Sequence, residues 1–155
     1  EEVVELLLDL LALLRQNSKD AAAFFEAIPA DKHNYRYAPD KWNVKELLAH
    51  ITDAERVFSY RALVAARCDS KTILHPMDDH LYVQQANVAG RTFESLVADF
   101  KAVRSATEQL FGPISESQGA FQAKTKAGPI TSRALGYIIV GHMMHHMKVI
   151  KQWYL

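Results

Sequence analysis

The chain has 155 residues, 49% of them hydrophobic and 23% charged, with lysine plus arginine equal to aspartate plus glutamate at 18 each. That size and composition fit one globular domain over residues 1–155 with a sizeable core. Balanced charge argues against nucleic acid and anionic membrane partners, which select clustered positive charge, and no run of about eighteen apolar residues is present to span a bilayer. The single cysteine, Cys68, excludes an intramolecular disulfide, and a reducing cytoplasm is the expected compartment. The sequence starts at Glu1 rather than methionine, so a lost upstream segment, a signal peptide included, stays open.

The first element is helical by period. Val4, Leu7, Leu11, Leu14, Ser18, Ala21, Phe25 and Ile28 recur at steps of three and four, and Pro29 ends the run. A connector over residues 29–42 carries Tyr35, Tyr37, Pro39 and Trp42. Asn43 and Glu46 then form a capping-box pattern that starts a second helix, from Val44 to about Arg67, with a stripe of Leu47, Ile51, Ala54, Phe58, Ala62 and Ala65. Residues 68–78 are a loop and Asp79–Ala89 a short helix. Thr92 caps a further helix to Phe111, whose stripe is Phe93, Leu96, Val97, Phe100, Val103, Ala106 and Leu110, and Gly112-Pro113 stops it. Residues 112–130 lack a period and read as a long loop, with a short strand pair as the open alternative. Thr131 or Ser132 caps a last helix to about Trp153. Four long helices and one short one predict an all-α antiparallel bundle.

The chemistry concentrates in the last helix. His142 and His146 in Gly141-His142-Met143-Met144-His145-His146 stand four apart, on one helix face about 6 Å apart at Cβ. They replace leucine-like residues on an expected core face of Leu135, Ile138, Ile139, Val149 and Trp153. Burying an imidazole without a partner costs on the order of 1–3 kcal/mol. A shared metal ion satisfies both rings; hydrogen bonds to core carboxylates or carbonyls are the other solution. His145 points about 100° away from His146 and should miss the same ion. His50 lies about 60° off the centre of the second helix's stripe, as a boundary residue or as a ligand from a second helix. Arg61 falls on the apolar side of that helix. Its charge needs Asp53, Asp78 or Asp79, an anionic substrate, or a stem lying on the core with the head in water. His33 reads as solvated, Cys68 as structural, and Met143, Met144 and Met147 as packing for a core or a partner helix.

The stretch Tyr37-Ala38-Pro39-Asp40-Lys41-Trp42-Asn43-Val44-Lys45-Glu46-Leu47-Leu48-Ala49-His50 resembles the DinB-like (DinB/YfiT-like) metalloenzyme family. So do Asp53 to Leu63, Asp78 to Val83, and Ser132 through Gly141-His142 to His145-His146. The resemblance covers nearly the whole chain. It implies a four-helix bundle of up-down-down-up topology and a divalent metal held by three histidines, carried here onto His50, His142 and His146, with zinc or nickel as the expected ion. It also implies a homodimer, to which the methionines of the last helix would add surface. Relatives include thiol transferases that use bacillithiol or mycothiol and an isomerase with a thiol cofactor. Met143 departs from the acid that relatives often carry there.

Three neutral imidazoles leave the charge of a divalent ion uncompensated, so a bound water or thiol would be acidified. No glutamate base of the HExxH kind accompanies the histidines, which favours a thiol-dependent transferase with a small-molecule substrate over a hydrolase. A non-catalytic metal-binding or stress-response module is the other class. Arg61 is the candidate for holding a carboxylate of the thiol or substrate. The metal cleft is expected to open toward residues 68–78 and 112–130.

Overall fold

The structure is a computed structural model that describes residues 2–155, with side chains from Asp9 onward. Val4 and Leu7 of the expected first stripe lie outside the described side chains. Four long helices dominate: α1 Glu2–Glu26, α2 Val44–Ala66, α4 Phe93–Phe111 and α6 Ser132–Trp153. Two short helices, α3 Asp79–Gln85 and α5 Glu116–Ala120, sit in the connections.

The directions follow from which ends touch. On α2 and α6, Ala62 and Ala66 share a cluster with Leu135 and Ile139, while Tyr154 donates to the Trp42 carbonyl at the other end, so the two are antiparallel. On α2 and α4, Arg56 meets Asp99 and Ser59 meets Thr107, so they are parallel. Helix α4 runs opposite to α1, because Glu26 pairs with Lys101 while Leu10 packs near Phe111. The bundle is therefore up-down-down-up, with α1 and α6 parallel, as the resemblance implied. At the α1–α6 crossing a Cβ on Gly136 would lie 2.6 Å from Leu10 Cδ2, so a glycine lets these two helices close.

The α2 start is built as expected: Glu46 N donates to Asn43 Oδ1 at 2.8 Å and Asn43 N to Glu46 Oε2 at 3.2 Å. Two stripes differ from expectation for one reason. On α1 the buried positions are Leu10, Leu14, Asn17 and Ala21, in place of Leu11 and Ser18. On α4 the second half buries Arg104, Thr107 and Phe111 rather than Val103, Ala106 and Leu110. Arg104 and Glu55 form a buried ion pair at 2.7 Å, and Asn17 accepts from Arg104 at 2.8 Å. A charge in the core must be fully partnered, and meeting that demand turns both faces.

Short elements depart more. Helix α3 stops at Gln85 because Asn87 takes a left-handed backbone, φ 53°, which asparagine tolerates better than most residues, and a 3-10 turn Val88–Gly90 follows. Residues 112–130 hold α5 and the strands β2 Ala123–Thr125 and β3 Gly128–Ile130. These form an antiparallel pair, and β1 Ile73–Leu74 adds to β2 in parallel. The sheet thus ties the two connectors together, over Val64, Ala65, Leu74 and Ala123. None of the described helices is long and apolar enough to cross a membrane.

Candidate metal centre

His50 lies in the second turn of α2, and His142 and His146 lie in the middle of the antiparallel α6. Their rings meet between the two helices. His142 Nε2 is 3.2 Å from His50 Nε2 and 3.1 Å from His146 Nε2. All three ligand atoms fall within 4.8 Å of one another. A tetrahedral ion with nitrogen bonds near 2.0–2.1 Å sets neighbouring nitrogens roughly 3.4 Å apart, close to the two short separations.

The electrostatics point the same way. Burial depresses all three imidazoles, and repulsion from neighbouring histidines adds to it: His80 on His50, His50 and His145 on His142, and His142, His50 and His145 on His146. His142 is lowered from 6.5 to about 4 and His146 to about 3, with burial the largest cause of each. His50 is also lowered, although Asp79 and Asp53 pull it back up. The rings are therefore neutral at pH 7, the form that ligates. Neutral rings cannot satisfy one another here. His142 Nε2 faces two nitrogens and has one hydrogen to give or one lone pair to offer, whereas a cation at the centre satisfies three lone pairs together. The donor set fits a divalent metal. His146 Nδ1 is buried without a protein partner, so its N–H lacks the acceptor that usually orients a metal-binding ring.

Aromatic walls surround the cluster. The Trp42 ring lies 4.8 Å from His50 and 5.3 Å from His80, and Phe58 stands edge-on to His142 at 5.6 Å. Trp42 is fixed from behind: Tyr154 donates to its carbonyl at 2.6 Å, and Arg36 bridges the Lys41 carbonyl and Glu46. Burial raises the Tyr154 phenol to about 12, so it stays a donor. The first turn of α3 supplies Asp79, whose charge acts on both His50 and His142.

The structure thus brings together the three histidines that the sequence singled out. His145 stays outside the cluster and meets His146 edge-on at 5.1 Å. The other expectations shift. The buried face of α6 centres on Leu135, Ile139, Met143 and Ile150, and the histidines are half-buried on its flank. Ile138 and Trp153 are exposed. Met143 is fully buried, so an acid there would enter the core, and Met144 alone of the three methionines is exposed. Arg61 sits further along α2 and reaches none of the three expected aspartates; its Nη2 donates to the His75 carbonyl at 2.8 Å. Cluster neighbours come from Trp42, Phe58 and the start of α3, and residues 112–130 contribute none, because the sheet holds that connector at the other end of α2. His33 is stacked on Phe93 at 3.6 Å rather than solvated. Trp42, Asp79 and His80 were not expected at the site. The available signal was their place: Trp42 directly precedes the cap of the helix that carries His50, and Asp79 and His80 open α3.

A parallel-paired four-helix bundle with three convergent histidines defines a class of helical proteins suited to one metal ion. The DinB superfamily model matches residues 13–150, and the chain belongs to that superfamily. Among solved structures it is similar to YfiT from Bacillus subtilis, described as a probable metal-dependent hydrolase with an unusual four-helix bundle topology: TM-score 0.78, 16% identity, 94% of this chain and 83% of that one. It is also similar to the mycothiol-dependent maleylpyruvate isomerase, TM-score 0.74 and 12% identity over 91% of this chain, and to a histidine-to-alanine mutant of it, TM-score 0.75 and 11% identity. The chain spans 59% of the isomerase's length. No curated protein matches significantly in sequence.

Proposed function

We propose that this protein is a metal-dependent enzyme in which His50, His142 and His146 hold one divalent ion, zinc or nickel, and a low-molecular-weight thiol is the co-substrate of group transfer to a small molecule. The observation that carries the reading is the meeting of three neutral imidazole nitrogens with no protein counter-charge among them. Bound there, the ion would supply Lewis acidity that lowers the pKa of a thiol or a water. The chain's own residues do the rest. The imidazoles add no negative charge that would blunt that acidity. Trp42 and Phe58 shield the cluster on two sides, and a drier site strengthens every charge interaction in it. A thiol ionises more readily than water, so transfer asks less of a protein base. The likeness to a mycothiol-dependent isomerase supports the thiol.

A hydrolase is the second reading. The likeness to YfiT favours it, and Asp79, whose charge reaches two of the rings, is the carboxylate that would manage the proton. One experiment separates the two. Protein purified without a nickel column is analysed for metal, then assayed with 1-chloro-2,4-dinitrobenzene and p-nitrophenyl acetate, with and without bacillithiol or mycothiol. Conjugation that needs both metal and thiol is the expected result. Metal-dependent ester cleavage at full rate without thiol overturns it in favour of the hydrolase.

A further inference from the structure

Arg61 is one of several arginines that no carboxylate reaches among the described residues, and it is the one that lines two clefts beside the helix that carries His50. Arg36, Arg56, Arg91 and Arg104 each reach an aspartate or glutamate. Arg61 does not, among the described residues. Its head is nonetheless held in place, by the His75 carbonyl at 2.8 Å and over the Phe58 ring at 5.8 Å. A side chain that merely snorkels has no such fixed seat. One of its five N–H donors is used on His75, and the others are free for a ligand.

Two clefts meet at this guanidinium. One, of about 440 Å³, runs between α2 and residues 72–77 and is bounded by Tyr60 and Tyr82. The other, of about 240 Å³, lies between Arg61, His75 and the turn after β2, where Lys126 adds a second cation. Neither is lined by an aspartate or glutamate. Phe58 links this place to the histidines, because its ring touches the Arg61 guanidinium on one side and the His142 ring, at 5.6 Å, on the other.

We propose that Arg61 and Lys126 form an anion subsite that takes the carboxylate of a small-molecule ligand whose reacting end lies at the histidines, with Phe58 under the apolar segment between them. The guanidinium fork matches a carboxylate in two parallel hydrogen bonds, which sets the ligand's direction as well as its affinity. The subsite deepens the thiol-transfer reading by naming an acid-bearing ligand class, and only its placement of the reacting end rests on that reading.

The probe is 6-mercaptohexanoate against its methyl ester. On ¹⁵N-labelled protein as purified, the acid shifts the amide signals of Arg61, His75 and Lys126 and the ester does not. Titration gives the acid about a tenfold tighter dissociation constant. R61Q and K126A bring the acid-to-ester ratio toward one, R61K leaves it between, and circular dichroism confirms that each variant is folded. Equal affinity for acid and ester in the unaltered protein, or a ratio that R61Q leaves unchanged, overturns the subsite. Cobalt-loaded protein tests the other reading separately: a thiolate-to-cobalt absorption band with either probe supports thiol binding at the histidines. Loss of that band with the amide shifts intact sinks the thiol reading and leaves the subsite standing.

Discussion

Two polar clusters lie inside one bundle, and the sequence completes one while leaving the other open. Between α1, α2 and α4, Arg104 gives Nε and Nη2 to the two Glu55 oxygens at 2.7 and 3.0 Å and Nη1 to Asn17 and the Leu14 carbonyl, while Thr107 donates to Glu55. Arg104 is 0% exposed and Glu55 3%. Every charge has its opposite, so the cluster needs nothing from outside. Between α2 and α6 the three histidines have no counter-ion among themselves and cannot all pair with one another, and His146 Nδ1 has no protein partner. Burial alone does not mark a functional site; three neutral rings that converge without being able to satisfy one another are the stronger signal.

The contrast breaks most visibly at the closed cluster. R104A leaves the Glu55 carboxylate buried without its partner and should destabilise the protein by about 3–5 kcal/mol in urea unfolding. The zinc content of the folded fraction should not change, since α4 contributes nothing to the histidine cluster. H146A is the converse. It should weaken zinc by about a hundredfold or more in competition with a chromophoric chelator, yet leave the unfolding midpoint of metal-free protein within about 0.5 kcal/mol or raise it, because a ring buried without full partners is removed. Zinc binding unaffected by H146A would make the open cluster a second structural one.

The contrast also shows in pH. Unfolded histidines titrate near 6.5, and the folded rings titrate lower, near 4 for His142 and 3 for His146. Between those values the unfolded chain binds more protons, so metal-free protein should lose stability as pH falls from 6.5 toward 4 and show no slope from these groups above 6.5. Melting temperatures from pH 7.5 to 5 test this, and H146A should flatten the curve.

Much of this was legible in the sequence where one rule acted alone. The four long helices follow from period and caps, and the HxxxH pair follows from helical pitch. His50 could not be assigned from its own helix, because a position on the flank of a stripe fits a boundary residue as well as a ligand; the resemblance to the family supplied it. Arg104 escaped notice because a charged residue interrupts a hydrophobic pattern, and only its partners on two other helices explain its burial. The two short strands that flank Lys126 and the two residues of β1 are too brief for alternation to register. Helix α5 had a readable signal, Ser115 with Gln118 as a capping box, but only one turn of helix behind it.

His50 and His142 are 92 positions apart, on the second and the last of the four long helices. Closing that loop comes late in any folding route that builds local helices first, since distant contacts form only after their entropy has been offset by others. No fragment that lacks either α2 or α6 can present the three nitrogens together. An ion that needs all three nitrogens could therefore be held only by a chain in which α2 and α6 have already docked, which would make its capture a report on the completed contact.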